Sequence, residues 1–263
     1  RTNDFIMPWV RERAALNVKL QDTPLTRHPY APTYLFDTGI SPLARFPIRG
    51  ILWYQGESNA HNIEAHARLF PLLVTSWRQV FSFNIPFYYV QLSSMNRPSW
   101  PHFRESQRRL MRSAEGLEMV VSSDHGMPND VHPRNKRPIA HRLALLALHN
   151  EYGYSSLTHR SPWLKALYRE GNKLILLFGG TDELKTSDGQ ELRGFEIIGE
   201  DGLNYPLPPI KLRDARVIIS IPRRISSQKL QIRYAWEPYT DANLVGYTGL
   251  PVSTFSISEG YLP

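Results

Sequence analysis

Apolar residues follow two different periods along the first half of the chain. Short apolar runs rich in aromatic and branched residues have the length of buried strands. They span residues 48–54, 87–92 and 117–121. Helical spacing of apolar residues follows each run, at 63–81, 104–115 and 138–150. Strands that alternate with helices predict a parallel sheet with helices on both faces.

The pattern changes near Tyr154. From there to the C terminus, turn residues such as Asp188-Gly189 and Asp201-Gly202 separate short apolar runs, and no convincing helical period is present. Strands are predicted at 163–168, 173–178, 194–198, 216–220 and 229–236. We therefore predict two domains, an α/β domain over residues 1–153 and a small antiparallel β-sandwich over residues 154–263.

The N-terminal end precedes the first predicted strand. Residues 1–20 have the spacing of a helix with one apolar face, and the proline-rich residues 21–47 predict a long loop with short helical turns.

Chain length and composition agree with a globular protein, since 41% of the 263 residues are hydrophobic and 21% are charged. The net charge of +7 comes from scattered residues, which favours solvated faces over nucleic-acid binding. The lack of cysteine excludes disulfides, and no run is apolar enough to predict a membrane span.

Polar residues gather where the predicted strands end. The turn after the first strand is Gln55-Gly56-Glu57-Ser58-Asn59. The second strand ends in Gln91, Ser93 and Ser94, with Arg97 beyond, and the third leads into a loop over residues 124–132. Because the carboxyl ends of parallel strands meet at one edge of a sheet, where ligands bind, these side chains are predicted to converge.

Asp130 and His132 are the strongest catalytic pair in this set. A carboxylate beside an imidazole orients the ring and stabilises its charged form, which a general base requires. The same pattern also fits a surface histidine in a turn. No third ligand has a spacing that would make the pair a zinc site, so no metal is predicted. Glu57 and Asp130 could also serve as the paired carboxylates of a glycosidase, but nothing in the sequence defines their separation. The other histidines, among them His66, His102 and His125, are interpreted as structural or solvated.

Several separate motifs, in order, resemble the bacterial sialate O-acetylesterase family of the SGNH hydrolases. They are GILWYQGESNA, DVHPRNK, GFEI, RYAW and the tail ANLVGYTGLPVSTF, and the similarity runs from about Pro32 to the C terminus. The resemblance implies an SGNH-like fold and a Ser-His-Asp esterase that removes acetyl groups from an O-acetylated sugar or glycan. It implies no cofactor and a periplasmic or secreted location, and the scattered charge and the lack of a long apolar run predict neither a nucleic-acid nor a membrane partner.

The resemblance assigns roles to individual residues. His132 matches the catalytic histidine, and Asp130 is the nearest match to the acid. The general DxxH pattern places the acid three residues before the histidine, where this chain has Asn129, so Asp124 is the reserve candidate. Gln55, Gly56, Glu57, Ser58 and Asn59 match the block that lines the acyl site and helps to build the oxyanion pocket.

The family's nucleophilic serine belongs to an N-terminal GQSN block, and these 263 residues contain no such block. Ser58 imitates it on a strand-turn-helix element, but its position in the family order is that of the later block. We expect the serine to come from an N-terminal segment of the same protein or from a partner chain, which would also complete the sheet. The isolated chain is then expected to be nearly inactive. In the esterase interpretation the β-rich half shapes the sugar-binding mouth, where Trp100, Trp163, Trp236 and Tyr247 are the candidates to stack on sugar faces. The alternative is a non-catalytic carbohydrate-binding protein of the same fold.

Overall fold

The structure is a computed structural model that describes residues 33–82 and 84–261. The helix predicted at residues 1–20 and the start of the proline-rich loop lie outside these residues. The described chain divides into two compact units. The smaller contains residues 33–49, 72–82 and 84–85, and the larger contains residues 50–71 and 86–261.

The smaller unit contains the short helical turns predicted for the proline-rich region. Phe36–Ile40 forms one turn of π-helix, and Ser41–Leu43 continues it as a 3-10 turn with a proline in its first positions. Proline is tolerated there because the first N–H groups of a helix have no partner inside it. In the same unit, the Arg78 Nε donates to the Ile85 carbonyl at 3.1 Å.

The larger unit opens with the predicted parallel sheet. Its strands are β1, Ile51–Trp53; β2, Phe87–Val90; and β3, Leu117–Val120. They pair in the order β1-β2-β3, with Ile51 opposite Phe87 and Phe87 opposite Leu117. The three strands lie within the predicted apolar runs but are shorter: β1 begins three residues after the start of its run, and each strand ends one or two residues before its run does.

Helices cover both faces of this sheet. They are α1, Ile63–Val80, of which residues 63–71 belong to this unit; α2, Trp100–Leu110; and α3, Arg137–Tyr152. Tyr88 and Val90 form an apolar cluster with Ile139, Leu143 and Leu146 of α3. On the opposite face, the Tyr89 hydroxyl donates to the Gln107 carbonyl of α2 at 2.6 Å, and Phe70 of α1 packs on Tyr89 at 4.9 Å between ring centroids. Successive side chains of β2 therefore pack alternately against the helix layers on the two faces of the sheet. Within the described residues, no helix is long and apolar enough to cross a membrane.

The bounds of α2 correct the prediction of a helix over residues 104–115. The helix begins four residues earlier because Pro101 fits its first turn, and it ends at Leu110 ahead of the turn that leads to Gly116. Gly116 has a φ of 68°, which the connection into β3 requires. Trp100 and Phe103 are thereby placed on the helix, where they are buried against the sheet end.

Antiparallel strands fill the rest of the unit. They are β4, Trp163–Glu170; β5, Lys173–Gly179; β6, Leu184–Thr186; β7, Phe195–Ile198; β8, Asn204–Tyr205; β9, Ile210–Arg213; β10, Arg216–Ser220; β11, Gln231–Tyr234; β12, Leu244–Gly246; and β13, Phe255–Ser258. Two four-stranded sheets, β4-β5-β10-β9 and β13-β11-β7-β8, share one apolar core, and β12 pairs with β6. The five predicted strands are all present. Of the five that were missed, none exceeds four residues, too few for a period to stand out.

Arg104 of α2 joins the α/β layers to the β-rich region. Its side chain is fully buried, and it donates to the carbonyls of Ala235, Glu237 and Pro238 at 2.9, 2.6 and 3.0 Å. Burial lowers the pKa of Arg104 to about 9, so the group is still charged at neutral pH. Three carbonyl dipoles thus stabilise a buried cation and hold the segment after β11 against α2. The predicted domain boundary near Tyr154 stays a prediction.

Candidate active site

The turn after β1 is built on Gly56 and Glu57. Gly56 has a φ of 148°, and a Cβ at this position would lie 3.1 Å from the buried ring of Phe103, so both backbone conformation and space favour glycine. The Gly56 N–H donates to the Glu57 carboxylate at 2.9 Å, and the Asn59 N–H donates to the Gly56 carbonyl at 2.8 Å. Glu57–Asn59 consequently forms one turn of 3-10 helix, in which Ser58 is exposed.

The end of this turn is held by a buried histidine. The Asn59 Nδ2 lies 3.3 Å from the Nδ1 of His66, one turn into α1. His66 is 5% exposed, and burial lowers its pKa to about 4, so the ring is neutral at pH 7. A neutral ring with a lone pair on Nδ1 accepts from the amide, which a protonated ring could not do. His66 therefore orients the Asn59 amide and leaves its second N–H for another acceptor.

Asp130 and His132 form a local pair on the loop after β3. The His132 N–H donates to the Asp130 Oδ1 at 2.8 Å, and the His132 Nδ1 lies 3.4 Å from the same oxygen. The histidine side chain is 81% exposed and that of Asp130 is 42% exposed. The spacing of two residues thus brings the carboxylate to the ring through a backbone turn, and an aspartate three residues before the histidine is not needed for this contact.

The turn and the loop lie at the same end of the sheet and contact common neighbours. Val131, between the two members of the pair, packs against the buried cluster that contains Ala60, which directly follows Asn59. The Lys136 Nζ lies 4.7 Å from the ring centroid of Tyr54, which directly precedes Gln55. Packing and a cation–π contact therefore bring together the two segments that the sequence predicted to converge.

The connection after β2 supports this arrangement. A Cβ on Gly126 would lie 1.9 Å from the Ser94 carbonyl oxygen, so the loop after β3 passes directly over the end of β2. The Ser94 hydroxyl donates to the Ser123 carbonyl, the Gln91 Nε2 donates to the Arg104 carbonyl at 2.8 Å, and the Ser93 carbonyl accepts from the Trp100 indole at 2.8 Å. These three polar residues are buried and serve the packing of the sheet end.

Asp124 has a partner of its own. Both of its carboxylate oxygens accept from Arg142 of α3, at 2.7 and 2.6 Å, and Arg142 also donates to the Val121 carbonyl at 2.7 Å. The arginine side chain is 9% exposed. A paired, bidentate carboxylate of this kind positions the start of the loop. His125 lies on its edge, with Nε2 3.4 Å from the Asp124 Oδ2.

Three residues that organise the site had no distinct signal in the sequence. His66 occupies the buried face of α1, Arg142 is one of two arginines in α3, and Lys136 lies in a basic stretch. No helical spacing links Asn59 to His66 in the sequence, because Asn59 precedes Ile63, the first residue of α1. Among the described residues, no cluster of three histidine, aspartate or glutamate side chains is arranged to hold a metal ion.

The arrangement offers an oriented amide, an accessible imidazole and a carboxylate beside that imidazole. Such a set suits proton transfer at a carbonyl or ester, with the amide as a donor to a developing oxyanion. The fold thereby defines the class of protein, an α/β protein in which a three-stranded parallel sheet with flanking helices is followed by antiparallel sheets.

Comparisons with known proteins show which family this chain resembles. A family model described as a carbohydrate esterase, sialic acid-specific acetylesterase, matches residues 37–145. A carbohydrate acetylesterase from Xanthomonas citri has a similar structure, with a TM-score of 0.78 and 32% sequence identity over 88% of this chain and 55% of that one. These matches confirm the resemblance to the sialate O-acetylesterase family.

Curated proteins similar to this chain are also named sialate O-acetylesterases. The sialate O-acetylesterase of Mus musculus is 27% identical over 236 residues, which are 80% of this chain and 43% of the mouse protein. That of Rattus norvegicus is 33% identical over 162 residues, 53% of this chain and 30% of the rat protein. The chain therefore spans less than half the length of the curated relatives it matches.

Proposed function

We propose that this chain carries the histidine, the acid and the acyl-binding turn of a carbohydrate O-acetylesterase. The observation that carries the proposal is the contact of Asp130 with His132 beside the turn of Gln55–Asn59, in a chain whose relatives are named acetylesterases. The substrate is an O-acetylated sugar or glycan, and no cofactor takes part. The resemblance extends the proposal to a periplasmic or secreted location, which fractionation of the source cells would test.

The nucleophile in this proposal is a serine outside these 263 residues. The family pattern places it in a GQSN block, supplied by another segment of the protein or by a partner chain. His132 takes the serine proton through Nε2 while the serine oxygen attacks the acetyl carbonyl. Asp130 accepts from Nδ1 and stabilises the imidazolium.

In the remaining steps the oxyanion is stabilised and His132 acts first as the acid and then again as the base. The free N–H of the Asn59 amide donates to the tetrahedral oxyanion, since His66 holds the other. His132 then returns the proton to the sugar oxygen, the C–O bond breaks, and the sugar leaves as an alcohol. A water deprotonated by His132 hydrolyses the acetyl-serine and releases acetate.

Two features support Asp130 over Asp124 as the acid. Asp124 is committed to Arg142 by two short hydrogen bonds, whereas Asp130 is partly exposed and faces the imidazole of His132. Ser58 is a weaker nucleophile candidate than a serine of the GQSN block, because it belongs to the 3-10 turn that carries Asn59.

Acetate release by the full-length protein tests the proposal, with 4-nitrophenyl acetate and acetylated sugars as substrates. His132→Ala is expected to lower kcat/KM by at least about 10³-fold through loss of the general base. His125→Ala, seven residues earlier on the same loop, is the matched control and should retain activity. An unchanged rate in His132→Ala would overturn the mechanism, and a full-length protein that binds glycans without hydrolysis would favour the non-catalytic alternative.

A further inference from the structure

A cavity of about 620 Å³ lies in the β-rich region, away from Asp130 and His132. It is formed by residues near the start of β4, the end of β5, the connection from β5 to β6, and the turn after β12. Tyr247, on that turn, is one of the aromatic residues that the sequence predicted to stack on sugars. The cavity thus brings one of these rings together with polar and charged side chains, which are Lys165, Thr181, Asp182, Glu183 and Thr248.

The cavity and the Asp130–His132 pair lie at opposite ends of the parallel sheet. The loop that carries the pair follows the end of β3, and α3 then runs back along the sheet for 16 residues. Beyond α3, Arg160 pairs with Glu118 near the start of β3, and Thr158, two residues before Arg160, lines the cavity. The two places are therefore separated by roughly the length of α3, which is about 24 Å at 1.5 Å per residue.

The turn after β12 presents the ring of Tyr247 to solvent in a fixed position. Tyr247 is 66% exposed. The Gly249 N–H closes the turn by donating to the Gly246 carbonyl at 2.9 Å, and the Tyr247 N–H donates to the Thr181 Oγ1 at 3.1 Å. The Lys185 Nζ lies 5.2 Å from the centroid of the tyrosine ring. Backbone hydrogen bonds and a cation–π contact thus hold the ring while much of its surface stays open to a ligand.

Two consecutive glycines make room for a second aromatic ring beside the cavity. A Cβ on Gly179 would lie 2.8 Å from the indole of Trp163, and a Cβ on Gly180 would overlap the same ring. The indole therefore lies against the bare backbone of two residues that line the cavity. Trp163 is itself 39% exposed. The apolar surface around the cavity is consequently larger than one tyrosine ring.

The charges around the cavity balance one another. Asp182 and Glu183 provide two exposed carboxylates, Lys165 provides one ammonium group, and Lys185 provides a second at the ring of Tyr247. Within the described residues, none of these four charged groups forms an ion pair. A carboxylate accepts from hydroxyl groups and an ammonium group donates to them, whereas two carboxylates repel an anion. The lining therefore suits a ligand that is rich in hydroxyl groups and has no net charge.

From these contacts we propose that the cavity is a second, non-catalytic site for a neutral sugar of a glycan, with Tyr247 against the sugar ring and Asp182 and Glu183 on its hydroxyl groups. Aromatic rings match the apolar faces of sugars, and carboxylate oxygens accept from neighbouring hydroxyls. The proposal goes beyond the proposed function, on which it rests only for the choice of a glycan over another hydroxyl-rich ligand. The cavity holds the glycan chain, and the acetyl group is removed at the other end of the sheet.

Calorimetric titration of the full-length protein with unacetylated oligosaccharides tests the site without any esterase chemistry. The neutral probes are tetramers of glucose, xylose, mannose and galactose, and a galacturonate tetramer at equal ionic strength is the charged probe. At least one neutral tetramer is expected to bind, and Tyr247→Ala and Asp182→Ala should each weaken this binding at least about fivefold through loss of the ring and of the acceptor. Tyr152→Ala is the matched control, since Tyr152 is 60% exposed and does not line the cavity, and it should bind like the parent protein.

Activity separates this site from the esterase chemistry. Tyr247→Ala and Asp182→Ala are expected to release acetate from 4-nitrophenyl acetate at the parent rate, whereas His132→Ala should lose hydrolysis and still bind the neutral tetramer. Unchanged hydrolysis in His132→Ala would contradict the proposed function and leave the binding result intact. The second site is overturned if no neutral tetramer binds, if Tyr247→Ala leaves the affinity unchanged, or if Tyr247→Ala weakens binding of the galacturonate tetramer by the same factor.

Discussion

Two aspartates on one loop, Asp124 and Asp130, have opposite environments. Both carboxylate oxygens of Asp124 accept from the buried Arg142, which also donates to the Val121 carbonyl, one residue beyond β3. The carboxylate of Asp130, six residues later, lies 3.4 Å from the Nδ1 of the exposed His132 and accepts from the backbone N–H of His132. The first carboxylate is fixed by a permanent cation, while the second is beside a group that can gain and lose a proton.

The contrast shows that the position of an aspartate within a loop does not reveal whether its carboxylate has a structural or a chemical role. A bidentate arginine on a helix stabilises a loop and has no proton to exchange at neutral pH. An imidazole changes charge near neutral pH and therefore suits a step that moves a proton. Asp124 is then a structural anchor, and Asp130 is the member of the pair available for chemistry.

Replacement of Asp130 is expected to have the largest effect of the changes that compare the two carboxylates. Asp130→Asn keeps an acceptor for the His132 N–H, so the loop should hold and the free energy of unfolding should change by less than about 1 kcal/mol. It removes the charge that stabilises the imidazolium, and acetate release by the full-length protein should fall by about 10²- to 10⁴-fold. A variant with full activity would remove Asp130 from the mechanism.

The matching change at Asp124 should act on stability instead. Asp124→Asn leaves a buried guanidinium without its counter-charge, which is expected to cost about 3 kcal/mol of unfolding free energy, since Arg142 is only 9% exposed. Urea unfolding measures the loss. Below the unfolding transition, activity of the folded protein should stay within a few-fold of the parent. A large loss of kcat in a stable Asp124→Asn protein would reverse the roles of the two aspartates.

A third polar group, His66, is expected to make the stability of the protein depend on acid pH. Its pKa is lowered by burial to about 4 in the folded protein, while an unfolded histidine titrates near 6.5, so the unfolded state binds the proton first. The stabilisation of the folded state by neutral His66 is therefore complete above pH 6.5 and is lost as the pH falls toward 4. Between pH 7 and pH 4.5 it should lower the unfolding free energy by about 2.5 kcal/mol.

His66→Gln tests this assignment because glutamine does not titrate. The variant is expected to lose stability at pH 7 from the altered core, but its unfolding free energy should depend less on pH between 4.5 and 7 than that of the parent. Equal slopes in the two proteins would show that another group is responsible for the acid sensitivity.

The smallest effect is expected at His125, the other histidine on the loop. It touches the outer edge of the Asp124–Arg142 pair at 3.4 Å, and its side chain is 28% exposed. His125→Ala should change the unfolding free energy by less than about 1 kcal/mol and leave acetate release unaltered. A loss comparable to that of His132→Ala would mean that the two histidines had been assigned the wrong roles.

Sequence alone predicted the parallel sheet, its three helices in the described region, the change to antiparallel strands near Tyr154, and the acetylesterase resemblance. These features depend on periods and motifs that extend over many residues, as in β2 and α1. The five short strands that were missed, such as β6 and β12, are defined by pairing with distant segments, and their own two to four residues carry no period.

The local pair of Asp130 and His132 was also within reach of the sequence, because two residues of separation already bring the carboxylate to the ring. Tertiary structure alone decided that Asp124 belongs to Arg142, that His66 holds Asn59, and that Arg104 anchors the segment of Trp236. Each of these contacts joins residues on different elements, and its strength comes from burial. Burial depends on the packing of the whole unit, which no local pattern of residues records.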